Sequence, residues 1–279
     1  MLYVYNRDNL EFLQKFPSNK VELVITDIPF NTGKEMVHKS IKTIADEDGD
    51  RVGFSGKKYR TEKVGCTSYN DSFEDFKSFI YPRFQETHRI LKGIGSFFLW
   101  ADYREIHYCK VWLDEIFGRE SFINEIIWAW DYGAKSKSKW SCKHNNILWY
   151  AKDPNNYVFN YDVIDFIPYL TEGGLVTKEK LERGKIPTDT WWCSIVGTNS
   201  DERVRGGGYA TQKPRKIIDR LVKVHSNEGD LCIDFFAGSG TLGESCYELN
   251  RKCILVDNNS QSIEVMKQRF SKFDNVQYK

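Results

Sequence analysis

The sequence predicts an α/β fold of Rossmann-like type built on a mostly parallel sheet. Three observations carry that expectation. Short apolar runs alternate with stretches of helical periodicity, a glycine-rich turn joins one such run to a helix, and acidic residues stand where the runs end. Over 279 residues, 41% of them hydrophobic, the chain can bury a substantial core in one large domain or two small ones.

Val21-Glu-Leu-Val-Ile-Thr26 reads as a buried strand, followed by helical periodicity from Phe73 to Leu91 and a second strand, Gly95-Ser-Phe-Phe-Leu-Trp100. A helix is expected over Tyr103–Ile116, then strands at Phe122–Trp130 and Asn146–Tyr150. Towards the C-terminus the pattern gives a helix at Arg215–His225, a strand at Asp230–Phe236 and a helix starting near Gly240. Lys252–Val256 then forms a strand and Gln261–Phe270 a last helix. Two segments break the alternation. Gly33–Asp71 is polar and rich in Lys and Arg without a sustained period, and Tyr161–Tyr209 mixes Pro, Gly and charge with the pair Trp191-Trp192. Long irregular insertions in such a domain are functional loops or disordered segments, so both are candidates for contacting a large substrate.

Composition narrows the classes. No apolar run approaches the ~20 residues of a membrane span, and Met1-Leu-Tyr-Val-Tyr-Asn-Arg-Asp8 lacks a basic region followed by an apolar stretch, so a signal peptide is not expected. The seven cysteines include no C-x-x-C pair, which favours reduced thiols in a cytoplasmic protein over a zinc ribbon or a disulfide framework. No His/Cys/Asp/Glu cluster has metal-ligand spacing. A net charge of +1 neither announces nor excludes nucleic acid, because a DNA enzyme need be basic on one face only.

Asp234-Phe-Phe-Ala-Gly-Ser-Gly-Thr241 sets a glycine turn between strand and helix, and one strand later Ile254-Leu-Val-Asp257, followed by Asn258, ends in a carboxylate 17 residues beyond Gly240. In dinucleotide folds such an acid bonds ribose hydroxyls at the carboxyl ends of the strands. Gly238, Gly240 and Gly243 satisfy G-x-G-x-x-G, but a plain βα turn explains a G-x-G equally well, and a P-loop is excluded because no Gly-Lys-Ser/Thr follows. The first strand runs into Asp27-Ile-Pro-Phe30. At a strand end an acid, a rigid turn and an aromatic would face the same crevice. Together they could polarise an amine with a carboxylate and a backbone carbonyl, and stack an extruded base on the ring. Alone, the tetrapeptide is as easily a strand-ending turn.

The two motifs together resemble the amino-methyltransferases of restriction-modification systems, specifically the permuted beta group, whose catalytic motif precedes its cofactor motif. Asp27, Pro29 and Phe30 match the catalytic motif, and Asp234, Phe236, Gly238 and Gly240 the cofactor motif. Thr211-Gln-Lys-Pro-Arg215 resembles the segment cradling the methionine moiety, Tyr5–Leu13 the N-terminal strand whose acid lies by the cofactor adenine, and Trp128–Lys152 the stretch leading to the base pocket. The resemblance implies S-adenosylmethionine as cofactor and a circularly permuted, S-adenosylmethionine-dependent methyltransferase fold. Residues 1–154 would form its catalytic part with an insertion at 33–71, residues 155–208 a target-recognition region, and residues 209–279 the cofactor-binding part. It implies catalytic roles for Asp27, Ile28, Pro29 and Phe30, and cofactor contacts from Asp8, Asp27, Lys213, Pro214, Asp234, Phe235, Phe236, Ala237, Gly238, Gly240, Asp257 and Asn258. Duplex DNA is the implied partner, with a homodimer and a cognate restriction endonuclease as further family associations.

Lys135, Lys137 and Lys139 form a basic segment suited to phosphates, and His144 is nearest the base-pocket segment; a solvated loop explains the lysines equally well. Lys57, Lys58, Arg60 and Lys63 invite the same reading, and Trp191-Trp192 either stack on DNA or form a small core under a loop. Ile28 departs from the family proline and removes the ring's conformational lock, so a looser turn is expected there. Asp27 at the head of the motif favours adenine N6 over cytosine N4, which stays as the alternative beside a non-catalytic DNA-binding relative and a small-molecule or RNA methyltransferase. Ring-carbon methylation of cytosine is disfavoured because no Pro-Cys dipeptide exists to supply its nucleophile.

Overall fold

In the computed structural model, residues 1–53, 56–133, 135–169, 176–197, 200–204 and 211–279 are described, with residues 37–43 and 63–70 described in their backbone alone. The strands are β1 (Leu2–Asn6), β2 (Val21–Asp27), β3 (Lys34–Ala45), β4 (Arg51–Val52), β5 (Lys58–Asp71), β6 (Leu91–Ala101), β7 (Phe122–Ala129), β8 (His144–Ala151), β9 (Thr190–Trp192), β10 (Leu231–Asp234), β11 (Lys252–Asp257) and β12 (Val276–Tyr278). The helices are α1 (Asn9–Lys15), α2 (Phe76–Ile90), α3 (Ile106–Phe117), α4 (Lys178–Arg183), α5 (Arg215–His225), α6 (Thr241–Glu248) and α7 (Ser260–Arg269).

Nine strands make one sheet in the order β12-β1-β11-β10-β2-β6-β8-β7-β9. The run from β12 to β6 is parallel throughout, and antiparallel pairing enters only where β8 meets β6 and β7. Such strands need apolar residues on both faces, which is why β2 is mostly apolar, with Glu22 near its start paired to Lys92. Leu23 and Ile25 enter a core with Ile217, Leu221, Leu242 and Met266 of α5, α6 and α7. Val21 and Val24 enter another with Phe12, Ile80, Phe84 and Leu113 of α1, α2 and α3. The result is three layers with the sheet between two helical faces.

The topology fixes where a site can form. From β10 the chain proceeds through α6 to β11 on one side; from β2 it proceeds through α2 to β6 on the other. Chains that diverge in this way leave a crevice between β10 and β2 outside their carboxyl ends, where ligands bind in open α/β sheets. Asp27, Asp234 and Asp257 end β2, β10 and β11 and therefore surround that crevice.

Two expectations needed correction. The segment 33–71 is no irregular loop: β3 and β5 pair antiparallel from Lys34↔Asp71 to Ala45↔Tyr59, with β4 added at Arg51↔Tyr59. Such a small sheet need not show the alternation of a half-buried strand, so its sequence carried no period. Secondly, Tyr5–Leu13 is not one strand. β1 stops at Asn6, and Asp8 caps α1 by accepting the Glu11 N–H at 3.0 Å. Of 155–208, the described parts hold a 3-10 turn at Tyr161–Val163, α4, β9 and a bridge between Ile167 and Lys185. The Lys63 side chain, residues 205–208 and the boundary at 209 lie outside what is described. Among the described residues no helix is long and apolar enough to cross a membrane, and Cys109, Cys142, Cys193, Cys232, Cys246 and Cys253 are free thiols.

Gly240 starts α6 at φ +77°, and a Cβ there would stand 2.7 Å from Met266 Cγ and 2.8 Å from Phe270 Cζ. Both the torsion and the space favour glycine. Gly240→Ala is expected to lower stability by about 1–3 kcal/mol, read from the urea midpoint.

Candidate active site

At the crevice lies a cavity of about 440 Å³, within the size range of small-molecule and cofactor sites. Asp27, Ile28, Pro29 and Phe30 line it from the end of β2, and Asp234, Phe236, Ala237 and Gly238 from the turn after β10. Asp257 and Asn258 follow β11, and Lys213 precedes α5. Residues from four separate stretches of sequence thus meet in one place.

The glycine turn is held from two sides. Gly238, at φ +51°, donates its N–H to Asp257 Oδ2 at 2.8 Å, while Asp257 Oδ1 accepts from Asn259 N at 2.9 Å. Arg269 of α7 donates from Nε to the Ser239 carbonyl at 2.7 Å. Asp234 Oδ1 accepts from Thr26 Oγ1 at 2.8 Å and from Phe236 N at 2.9 Å, tying β10 to β2. Burial raises all three acids. Asp234 is pushed up to about 7, because burial and the neighbouring Asp27 and Asp257 outweigh its two hydrogen bonds. Asp257 rises through burial, against the hydrogen bonds it accepts. Asp27 rises through burial, opposed by Lys213.

The Asp27–Phe30 turn is anchored differently from the expectation. Ile28 is 2% exposed, packs with the α1–α3 face of the core, and donates its N–H to the Trp100 carbonyl at 3.2 Å. The turn is therefore fixed by packing and a hydrogen bond that proline could not make, and the looser turn expected from the missing ring is not found. Behind it, Asn31 adopts φ +51°, and Asp71 receives its N–H at 3.0 Å. The same carboxylate accepts from Thr32 N at 3.2 Å and Thr32 Oγ1 at 2.6 Å. Asn31 Nδ2 donates to Glu105 at 2.8 Å, and Asn31 Oδ1 accepts from Phe73 N at 3.1 Å. Lys213 pairs with Asp27 through its ammonium.

Some expected residues fall elsewhere. Asp8 is a helix cap with Arg83 at 3.4 Å and is outside the cavity wall; Pro214 is the N-cap of α5, Phe235 is core, and Gly240 lies behind the turn. Lys135, Lys137 and Lys139 are exposed on the loop joining β7 to β8, and His144 is exposed at the start of β8. That loop leaves the sheet at the edge where β6 ends, since Ala101 pairs with Asn146, so the lysines share the cavity's edge of the sheet. Trp191 and Trp192 split: the first is buried under Arg220, 4.7 Å from its ring, and the second is 63% exposed.

Sequence reasoning missed the aromatic wall of Phe73, Phe79 and Trp100, the floor at Thr26, and Ser239, Thr241 and Asn259. It also missed Asp71, which no motif marks. S-adenosylmethionine fits this cavity by the chemistry of its wall: Phe79 and Phe236 offer an aromatic surface, Asp257 and Asn258 acceptors for hydroxyls, and Lys213 a cation beside Thr211.

The N6/N4 family model, described as DNA methylase, matches residues 21–268. The chain is 28% identical over 274 residues to the type II methyltransferase M.HpaI of Haemophilus parainfluenzae, covering 96% of this chain and 74% of that protein. It is 26% identical over 274 residues to the DNA adenine methyltransferase YhdJ of Escherichia coli K12, covering 94% and 80%. The crystal structure of the M1.HpyAVI–SAM complex shares the fold with a TM-score of 0.58 at 19% identity, over 97% of this chain and 99% of that one.

Two outcomes follow from the geometry. Ile28→Pro removes the bond to Trp100 and is expected to lower stability by about 1–3 kcal/mol and to reduce turnover, checked by thermal unfolding and methyl-transfer assays. Asp234 has a raised folded pKa, so its contribution to stability is full below the ordinary 3.8 and is lost as pH rises through about 7. Asp234→Asn keeps an oxygen for Thr26 and Phe236 but cannot titrate. Relative to that variant, the wild type should lose stability between mildly acidic and mildly alkaline buffer, measured as the difference in unfolding midpoints.

Proposed function

We infer that this chain, which belongs to the N6/N4 DNA methylase family, methylates the N6 amino group of adenine in duplex DNA with S-adenosylmethionine as donor. The observation that carries the reading is that Asp27 and Phe30 line the same cavity as Gly238 and Asp257, so an amine acceptor and a cofactor turn share one enclosed space. The preference for adenine rests on Asp27 at the head of the motif and on the likeness to an adenine methyltransferase.

A base inside a duplex cannot reach such a crevice, so it is flipped out and its face is stacked on Phe30. Asp27 and the Ile28 carbonyl accept the two N–H bonds of the exocyclic amine and aim its lone pair. Pro29 fixes the turn between them. The cofactor supplies an activated methyl group on a sulfonium, so these residues mainly align and desolvate. Asp257 and Asn258 take the ribose hydroxyls, and Phe236 and Phe79 the adenine.

Residues 155–208 are proposed to read the target sequence, and Lys135, Lys137 and Lys139 to contact phosphates, which carry affinity without sequence information. His144 stands at the root of that loop, at the margin of the same face.

Asp27→Ala is expected to abolish methyl transfer while leaving binding of S-adenosylmethionine and of DNA largely intact. The measurement is label transfer from the tritiated cofactor to unmethylated genomic DNA, followed by nucleoside analysis. N6-methyladenine from the wild type supports the reading; N4-methylcytosine would reassign the base, and active Asp27→Ala protein would move the active site.

A further inference from the structure

The two oxygens of the Asp27 carboxylate are in different states. Oδ2 is engaged by the Lys213 ammonium, whereas Oδ1 is buried and has no hydrogen-bond partner among the described residues. A buried acceptor left without a donor costs free energy, so Oδ1 marks a place where a donor arrives in the working complex. Lys213 is itself enclosed, with its side chain 10% exposed. Its Nζ lies 5.3 Å from the Phe30 ring centre, 5.5 Å from that of Trp100 and 3.5 Å from the Thr211 carbonyl. One ammonium thus touches the acid of the catalytic turn and faces both rings beside it.

We propose that Lys213 is a positioning residue for methyl transfer, holding Asp27 as a carboxylate with Oδ2 occupied and Oδ1 presented to the amine of the target base. This rests on the reading that Asp27 receives that amine. It differs from the role implied by resemblance, in which Lys213 serves the methionine end of the cofactor.

The charges around Asp27 explain why such a partner is needed. Asp234 adjoins it from β10, Asp102 lies beyond the end of β6, and Asp71 ends β5, so acids face it from three elements. Burial drives Asp27 towards its neutral form, Lys213 opposes this, and Asp102 and Asp71 reinforce it. A protonated Asp27 loses the negative charge that draws on the amine N–H, and its own proton would compete for the acceptor. Lys213 counters both effects, and the segment Thr211-Gln-Lys-Pro214 leading into α5 fixes where it stands.

The test compares wild type with Lys213→Met and Lys213→Arg in the full chain. Single-turnover methyl transfer to unmethylated genomic DNA is followed across pH at saturating S-adenosylmethionine, with cofactor affinity measured separately by calorimetry. The expected result for Lys213→Met is an acidic limb displaced upward by about one pH unit or more, with the rate recovering in alkaline buffer. Lys213→Arg restores the limb. Carbon-13 NMR of the Asp27 carboxyl, assigned with Asp27→Asn and recorded without cofactor or DNA, should show its titration midpoint moving upward in Lys213→Met. A variant that binds the cofactor more weakly but keeps both the limb and the midpoint makes Lys213 a cofactor ligand alone and overturns the proposal. A displaced midpoint in a chain whose wild type methylates no DNA would support the pairing and overturn the functional reading instead.

Discussion

Burying several carboxylates at one end of a parallel sheet is the constraint on which this molecule turns. Three adjacent strands, β11, β10 and β2, finish in Asp257, Asp234 and Asp27, and each acid is raised by burial. Isolated charges would not survive there. The fold answers with three different partners: backbone N–H groups for Asp257, a hydroxyl and an N–H for Asp234, and an ammonium for Asp27. The first two solutions lock the glycine turn to its neighbours. Among the described residues the third leaves one oxygen of Asp27 without a donor, so the acid without a full set of donors is the one placed to meet a substrate.

Much of this was legible in the sequence because its causes are local. A strand buried on both faces must be largely apolar, and the stretch 21–25 is so apart from Glu22. A helix packed on one side must repeat near every fourth residue, and Arg215–His225 matches its expected bounds. A glycine at φ +77° before α6 announces itself as part of a turn. Asp27, Phe30, Gly238 and Asp257 stood out because strand ends are marked by the residues that stop them, and the sheet topology then brings those ends together.

What stayed hidden depends on long-range pairing. Lys213 and Asp27 are 186 positions apart, and neither spacing nor composition links them. The β3–β5 ribbon shows no apolar period because its order lies in cross-strand hydrogen bonds, which do not select residue type strongly. Ile28 was misleading for a related reason. Judged against a proline motif it reads as a loss of rigidity, yet its rigidity comes from the core around its side chain and from the Trp100 carbonyl. The local rule was sound and a tertiary contact overrode it.

Asp71 shows how an inserted element becomes part of a site. It ends β5 opposite Lys34, so it belongs to the root of the ribbon. Its carboxylate gathers Asn31 N, Thr32 N and Thr32 Oγ1, and its carbonyl accepts from Gly33 N at 3.0 Å. A single residue thereby closes the segment that follows Phe30, and Asn31 is held at φ +51°, a torsion that costs a non-glycine residue free energy unless its surroundings impose it. Asn31 extends the same connection to Glu105 beside α3 and to Phe73 ahead of α2. The Asp27–Phe30 turn is consequently fixed at its start by the Trp100 carbonyl of β6 and at its end by the ribbon. An insertion that supplies such an anchor cannot be removed as a spare loop, because the geometry of Phe30 depends on it.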